Sequence, residues 1–169
     1  LQRHATSKIV NTSDLTSLST LGFRGEALPS IAAVSKLEVS TRLPEAIEAT
    51  KITVKGGIIQ SIEPAGAPAG TVVNVRDLFF NTPARKKFLK SPVAEFGQII
   101  DIVNKLALAY PQIAFHLVHN QREYLSTTGR GNLLDTIMQI YGKEVARQLI
   151  TLNYHHNGCV IKGFIGKPS

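Results

Sequence analysis

A pair of glycines, Gly56-Gly57, constrains the fold of this chain more than any other feature. It separates two strand-like runs, Ala49–Lys55 and Ile58–Glu63, and is a strong signal for a two-residue hairpin. Lys36–Arg42 (KLEVSTR) before them alternates apolar and polar side chains, as a half-buried strand does. Thr71–Leu78 (TVVNVRDL) is a further candidate strand. Together these segments predict an antiparallel sheet.

A long helix is predicted after this sheet, from Pro92 to Tyr110. Ser91 is placed to cap it, Pro92 fits its first turn, and Pro111 lies just past its end. Apolar side chains recur at three- and four-residue spacing on one face and are predicted to be core, namely Phe96, Ile99, Ile100, Val103, Leu106 and Tyr110.

The remainder of the chain predicts smaller elements and a domain boundary. The expected elements are a hairpin of Ile113–Val118 and Glu123–Ser126, helices over Leu133–Tyr141 and Glu144–Leu149, and strands over Thr151–His155 and Cys159–Ile165. The glycine-containing segment Thr127–Asn132 is read as a linker between one domain at 1–128 and the beginning of another at 129–169. That tail is too short to bury a good core alone.

The charge and the cysteine content narrow the class of protein. Nineteen Lys and Arg against twelve Asp and Glu give a net charge of +7, which suits a polyanion such as DNA, RNA or a nucleotide, although a merely basic protein fits as well. Cys159 is the only cysteine, so an internal disulfide is excluded and a reducing, intracellular compartment is expected. No run has the length of a membrane span. Neither Leu1 nor Ser169 resembles a natural terminus, so a piece of a longer protein is expected.

A candidate phosphate-binding turn lies at Leu21–Leu28 (LGFRGEAL), before a helix-compatible run. Gly22 and Gly25 carry no Cβ and allow backbone N–H groups to approach an anion. Arg24 supplies a planar fork of donors that suits phosphate oxygens. The alternative is an ordinary turn that enters a helix.

Two further segments carry polar groups that suit a nucleotide. Thr6, Ser7 and Lys8 offer two hydroxyls and an ammonium, a reasonable set of phosphate contacts, although a helix N-cap with a solvated lysine is the commoner use. The segment from Asn11 to Leu21 is then expected to act as a lid. In Gly70–Leu89 (GTVVNVRDLFFNTPARKKFL), the Thr71 hydroxyl is placed to point into a pocket.

A basic cluster follows in the same region and suits a DNA backbone, with a solvated basic face as the equal alternative. Its members are Arg85, Lys86, Lys87 and Lys90. The pair His116 and His119 is spaced so that the two side chains leave opposite faces of a strand, which makes a poor metal site. Glu26 is the carboxylate nearest the phosphate turn, where it can pair with Arg24 or favour the helix N-terminus.

In this order and at these separations, RHATSKI, LGFRGEAL and GTVVNVRDLFFNTPARKKFL closely resemble the N-terminal ATPase region of the MutL family of DNA mismatch-repair proteins. That family belongs to the GHKL superfamily, which includes the ATP-binding domains of gyrase, heat-shock chaperones and histidine kinases. The resemblance spans at least Arg3–Leu89.

The resemblance implies an α+β fold, a two-layer α/β sandwich of the GHKL ATPase type that is incomplete at its N-terminal side, followed by the start of a ribosomal-protein-like second domain. It implies ATP and Mg²⁺ as cofactors. Thr6, Ser7 and Lys8 would anchor the ATP lid, and Thr71 would lie near the adenine end. The residues that would embrace the phosphates are Gly22, Phe23, Arg24, Gly25, Glu26, Ala27 and Leu28.

The chain departs from the family pattern in two respects. Pro29 stands where the family commonly has alanine, so the helix after the turn is expected to start later or to kink. The family's general-base glutamate, its Mg²⁺-binding asparagine and its Asp-x-Gly-x-Gly motif lie before the residue that matches Leu1, and its γ-phosphate lysine lies after Ser169. No catalytic or metal-binding residue is therefore assigned.

By this resemblance the parent protein is an ATP-operated switch in DNA mismatch repair. ATP binding would close the lid and pair two N-terminal regions, and that state would engage DNA, a mismatch sensor of the MutS family, and a downstream nuclease and helicase. A bacterial cytoplasm, close to the nucleoid, is the expected location, or the nucleus in a eukaryote. The alternatives are a DNA-binding module and the ATPase region of a type II topoisomerase. The 169-residue chain alone is expected to hydrolyse little or no ATP.

Overall fold

The computed structural model describes Thr6, Lys8, Ile9, residues 11–18, Thr20 and residues 22–168. Ser7, one of the expected phosphate contacts, lies outside these described residues. Internal contacts divide the chain into two compact units, Leu1–Leu89 and Lys90–Ser169. The domain boundary expected after residue 128 stays a prediction, because a division by contacts does not identify the limits of evolutionary domains.

The first unit is built on one antiparallel sheet. Its strands follow the order β3-β2-β1-β4. A 3-10 turn at Thr12–Thr16 comes first, and the elements after it are α1 (Ala27–Ala33), β1 (Lys36–Arg42), β2 (Ala49–Lys55), β3 (Ile58–Ala65), β4 (Gly70–Arg76) and α2 (Pro83–Lys87). The predicted antiparallel sheet is confirmed. β3 continues past the predicted Glu63 to Ala65, and β4 ends at Arg76 rather than at Leu78.

One face of this sheet is apolar, and α1 packs against it. The register places Leu37 of β1 between Val54 and Val75, so these three side chains share that face. Ala32 of α1 closes the core over Leu37 and Val54, each of them at most 2% exposed. Val75, outside this buried cluster, is 43% exposed. A helix layer on a sheet layer results, as expected for an α+β sandwich.

The hairpin between β2 and β3 turns at the predicted glycines. Gly56 has a φ of 58° and Gly57 a φ of 85°, both in the left-handed region. Two successive positive φ angles match the right-handed twist of the flanking strands. The hairpin prediction from these two glycines is therefore confirmed.

The expected effect of Pro29 on α1 is wrong. The helix begins at Ala27, two residues before the proline, and its first intrahelical bond runs from the Ser30 N–H to the Glu26 carbonyl at 3.0 Å. Pro29 is thus the third helical residue, where an N–H would have no intrahelical acceptor. Its missing donor costs nothing there, so the helix neither starts later nor is interrupted.

The second unit combines three helices with two separate hairpins. β5 pairs with β6, and β7 pairs with β8. The elements are α3 (Pro92–Ala109), β5 (His116–His119), β6 (Arg122–Ser126), α4 (Leu133–Tyr141), α5 (Lys143–Arg147), β7 (Leu149–His156) and β8 (Cys159–Gly166). Each predicted element of this region is present, with ends that differ by up to three residues.

The long helix α3 begins as predicted, but its apolar stripe is less buried than expected. The Ser91 hydroxyl oxygen accepts a hydrogen bond from the Ala94 N–H at 3.3 Å. Ala107 is the one buried residue of α3, all of which is described, and Ile99 is 48% exposed. The other stripe residues are half-buried. Within this unit, α4 and the β5–β6 hairpin contact only part of this eighteen-residue helix.

The segment predicted as a linker is tied to the chain just before β5. The Thr127 N–H donates to the Phe115 carbonyl, and the Phe115 N–H donates to the Thr127 hydroxyl, both at 2.8 Å. The Gly131 N–H donates to the Pro111 carbonyl at 2.9 Å. These bonds fix the start and end of the segment inside the second unit. Among the described residues, no helix is both long enough and apolar enough to span a bilayer.

Candidate functional site

The candidate phosphate turn, Gly22–Leu28, runs directly into α1. Gly25 has a φ of 63°, a conformation that strongly favours glycine. A Cβ at Gly22 would meet no atom within 4 Å, and the backbone there does not require glycine. The turn therefore depends on glycine at one of the two positions. This geometry suits both an anion cradle and an ordinary entry into a helix.

Arg24 projects from the turn and stays exposed. Its guanidinium carbon lies 5.5 Å from the centre of the Phe23 ring, a cation–π distance. Contact with one ring face limits the directions that a long side chain samples. Glu26, half-buried, occupies the N-cap position of α1, and Ala27 and Leu28 form the start of the helix. Amides at such a start have no intrahelical acceptor and can serve an anion.

The opposite end of α1 is held by two loops of the first unit. Four successive backbone carbonyls, at residues 32 to 35, each accept a hydrogen bond from outside the helix. The bonds run from Gly57 N–H to Ala32 (2.8 Å), from Asn81 Nδ2 to Ala33 (2.9 Å), from Phe79 N–H to Val34 (2.7 Å) and from Gly56 N–H to Ser35 (3.0 Å). The carbonyls that a helix leaves without partners at its C-terminus are thus satisfied.

The remaining nucleotide candidates lie in two other places. The Thr6 hydroxyl oxygen accepts from the Lys8 N–H at 3.1 Å, which is a local turn, and the Lys8 side chain is exposed. The hydroxyl of Thr71, on β4, lies 2.9 Å from that of Thr41 on β1. Thr71 is therefore exposed beside a neighbouring strand rather than turned into an enclosed pocket. The nucleotide roles of these residues stay predictions.

The predicted basic cluster is distributed over both units. Arg85, Lys86 and Lys87 form most of the short helix α2 and are all exposed, whereas Lys90 belongs to the second unit. Exposed cations on a short helix suit contact with a polyanion. They suit a solvated basic face equally well.

A second group of cations was missed by the sequence analysis. On the polar face of the sheet, Lys36 stands directly between Lys55 and Arg76 on the neighbouring strands. Like charges placed opposite each other in a sheet are destabilising unless an anion offsets them. Asp77 is one such anion, with Oδ2 2.6 Å from Lys36 Nζ. Lys55 and Arg76 have no ion-pair partner within the part of the chain that is described.

The three adjacent cations Lys55, Lys36 and Arg76 are called the cationic row below. Asp77 interacts both with this row and with α2. A hydrogen bond from Lys36 and its charge hold the pKa of the Asp77 carboxyl below its usual value, and the charges of Lys86 and Arg76 add to the effect. Lys86 of α2 is therefore close enough to act on Asp77. Strand alternation places Lys36, Lys55 and Arg76 on one face, but only the register between strands shows that they adjoin.

The two histidines of β5 have separate partners. His116 Nε2 lies 2.7 Å from a carboxylate oxygen of Glu123. The His119 ring stacks on Phe96 with 4.0 Å between ring centres. Across the described residues, no group of three or more His, Cys, Asp or Glu is placed to hold a metal ion.

Comparisons with known proteins converge on one family. The DNA mismatch repair protein MutL of Desulforudis audaxviator is 49% identical over 168 residues, which are 99% of this chain and 30% of that protein. MutL of Streptococcus pneumoniae is also 49% identical over 168 residues, covering 99% of this chain and 26% of the relative. The chain thus spans less than a third of the length of these relatives. No model of a protein family matches it.

The solved structures agree. The Aquifex aeolicus MutL ATPase domain complexed with ADP superimposes with a TM-score of 0.77 at 29% sequence identity, over 95% of this chain and 61% of that one. An Aquifex aeolicus MutL ATPase domain described as that of a mismatch repair endonuclease gives a TM-score of 0.68 at 26% identity, over 95% and 58% of the two chains. The expected α/β sandwich of the GHKL ATPase type is therefore confirmed. On fold and sequence together, the chain belongs to the MutL family of DNA mismatch repair proteins.

Proposed function

We propose that the protein containing this chain is an ATP-operated switch in DNA mismatch repair, and that Gly22–Leu28 holds the phosphates of ATP. The observation that supports this most directly is the fold shared with an ATPase domain whose structure contains ADP. In this chain the turn combines a left-handed glycine, an exposed arginine and the first amides of α1. That set of donors is chemically suited to phosphate oxygens.

Each residue of the turn has a distinct role in this proposal. Arg24 directs its guanidinium at the phosphate oxygens, with Phe23 restricting its position. Gly22 and Gly25 bring the backbone close to the anion. The amides of Ala27 and Leu28 donate to phosphate, while Glu26 sets the start of the helix. Thr6, Ser7 and Lys8 anchor the lid, and Thr71 lies near the adenine.

Mg²⁺ accompanies ATP in this proposal and would neutralise phosphate charge when bound. We assign it no ligand, because the described residues present no acidic or histidine cluster. No residue is named as a general base, because the family's general-base glutamate has no matching position in this sequence, and the chain alone is therefore expected to hydrolyse little ATP. In the full-length protein, slow hydrolysis would reset a state in which two N-terminal regions pair and engage a MutS-family sensor, a nuclease and a helicase.

The binding of ATP is tested by isothermal titration calorimetry of the full-length protein with Mg-ATP. Arg24→Ala should weaken binding by about tenfold or more, since a charge-assisted hydrogen bond contributes about 1.5–3 kcal/mol. Arg130→Ala is the matched control, because Arg130 is also exposed and lies in the second unit. Equal affinities for the two variants would contradict the assignment of Arg24.

DNA binding is a second proposed activity of the same protein. The row Lys55–Lys36–Arg76 and the cations of α2 support it within the first unit, because among the described residues only Lys36 of the row has an ion-pair partner. Lys90, in the second unit, is proposed as a separate contact. Contacts from these side chains would release the counterions condensed on the phosphates of the duplex, so affinity should fall steeply as salt rises. The contacts are to phosphates, so little sequence preference is expected from them.

A further inference from the structure

We propose that Asn81 is a positioning residue for the nucleotide turn, which it holds in place from the far end of α1. The proposal rests on the function proposed for Gly22–Leu28. Asn81 does not touch that turn. Its side-chain amide donates to the carbonyl of Ala33, the last residue of the helix, at 2.9 Å.

Asn81 differs from the other donors at this helix end. The three neighbouring carbonyls accept from the backbone N–H groups of Gly56, Gly57 and Phe79. A substitution leaves those groups in place. Asn81 is the only one of the four donors that uses its side chain. Its hydrogen bond is therefore the one that a side-chain substitution removes directly.

The loop that carries Asn81 is held in an uncommon conformation. Asp77 and Phe79 lie four and two residues before Asn81 and have φ angles of 51° and 63°, in the region where residues other than glycine are rare. The β2–β3 hairpin lies close to the same amide group, because a Cβ at Gly56 would lie 3.3 Å from Asn81 Nδ2. Loop, hairpin and helix end therefore meet around one amide group.

α1 needs such an anchor because it is short. A helix of seven residues is unstable by itself in water, and its direction depends on tertiary contacts. At 1.5 Å per residue it is about 10 Å long, so a tilt at Ala33 moves the opposite end, where Ala27 continues the nucleotide turn. Loss of the Asn81 bond should misalign the turn without removing any phosphate contact.

The test compares Mg-ATP affinity, by calorimetry at a temperature well below unfolding, in the full-length protein and its variants. Asn81→Ala removes the amide, and Asn81→Asp keeps its shape while removing the N–H donor. Both should raise the Kd for Mg-ATP about three- to tenfold. The matched control is Asn74→Ala, which removes an amide from β4 that donates to Glu38 on the polar face of the sheet. Its Kd should change by less than about twofold.

Hydrogen exchange supplies a readout that ordinary loss of stability does not give. Amides of α1 should exchange faster in Asn81→Asp, while those of β1 and β2 keep the wild-type rate. An unchanged Kd in both Asn81 variants, with a wild-type protein that binds Mg-ATP, would overturn the proposal alone. An equal rise in Asn74→Ala would also overturn it, since the effect would then be general. A wild-type protein that binds no Mg-ATP would overturn the proposed function as well.

Discussion

Lys36 Nζ lies 2.6 Å from Asp77 Oδ2, and this ion pair joins the first residue of β1 to the loop that follows β4. It is the one ion pair found in a row of three adjacent cations on the described sheet. Asp77 also has a backbone φ of 51°, so the residue combines an uncommon conformation with a charge that its neighbours require. Stability in acid and affinity for polyanions should both depend on this carboxylate.

The stability of the fold in acid should depend on Asp77. Its pKa in the folded protein lies below the ordinary value of 3.8, so the carboxylate stabilises the folded state at neutral pH. This contribution is lost as pH falls below 3.8 toward the folded pKa, because the unfolded state takes up the proton more readily than the folded state in that range. Asparagine tolerates the same φ, so the Asp77→Asn variant should lose less stability than the wild type as the pH falls. Urea unfolding at pH 7 and pH 3 measures it.

For each protein, the free energy of unfolding at pH 7 is compared with that at pH 3. The wild type should lose more stability than Asp77→Asn between pH 7 and pH 3, so the difference in stability between the two proteins should be smaller at pH 3. Equal losses in both proteins would show that Lys36 does not favour the charged carboxyl.

Gly129 should tolerate substitution much less than Gly131. A Cβ at Gly129 would lie 2.6 Å from the backbone nitrogen of Ala114, which cannot move aside as a side chain could. A Cβ at Gly131 would meet nothing within 4 Å, and both residues have positive φ. Gly131→Ala should therefore cost about 1–2 kcal/mol for the backbone conformation alone. Gly129→Ala should cost about 1–3 kcal/mol more from overpacking.

Denaturant unfolding of the two variants measures this difference. If both lose the same stability, then the segment from Thr127 to Asn132 is not packed against the chain before β5, and a linker at a domain boundary would be favoured.

The cationic row should set the salt dependence of DNA binding. Removing one phosphate contact by Lys55→Ala or Arg76→Ala should reduce the slope of log K against log salt by about 1 and weaken binding to all sequences alike. Lys105→Ala is the control, because Lys105 is exposed but paired with Asp101 at 2.6 Å. Fluorescence anisotropy with duplex DNA at several salt concentrations measures the slopes. Unchanged slopes in both row variants would exclude the sheet face from the DNA interface.

The elements that local sequence determines were predictable. Gly56-Gly57 specifies its hairpin because two positive φ angles are a property of the residues themselves. Ser91 and Pro92 mark the start of α3 because N-capping and a fixed φ are also properties of the residues themselves. The stripe of α3 was misjudged because periodicity identifies an apolar face without showing what covers it. Pro29 was misjudged because its effect depends on where the helix begins.

The missed features of the site depend on tertiary neighbours. Lys36, Lys55 and Arg76 lie about twenty residues apart in the chain and become adjacent only through the strand register. The bond from Asn81 to Ala33 spans 48 positions. Neither local segment contains a pattern that predicts this hydrogen bond. The phosphate turn was found because its residues are contiguous, and its function remains a proposal.

Steady-state Mg-ATP hydrolysis by the full-length protein, with and without DNA, tests the switch most directly when Arg24→Ala is measured beside the wild type. DNA-stimulated turnover in the wild type and its loss in Arg24→Ala are the expected results, and the 169-residue chain alone should show little or no turnover. Turnover that is absent from the full-length protein, or that is indifferent to both DNA and Arg24, would contradict the proposal and favour a DNA-binding module instead.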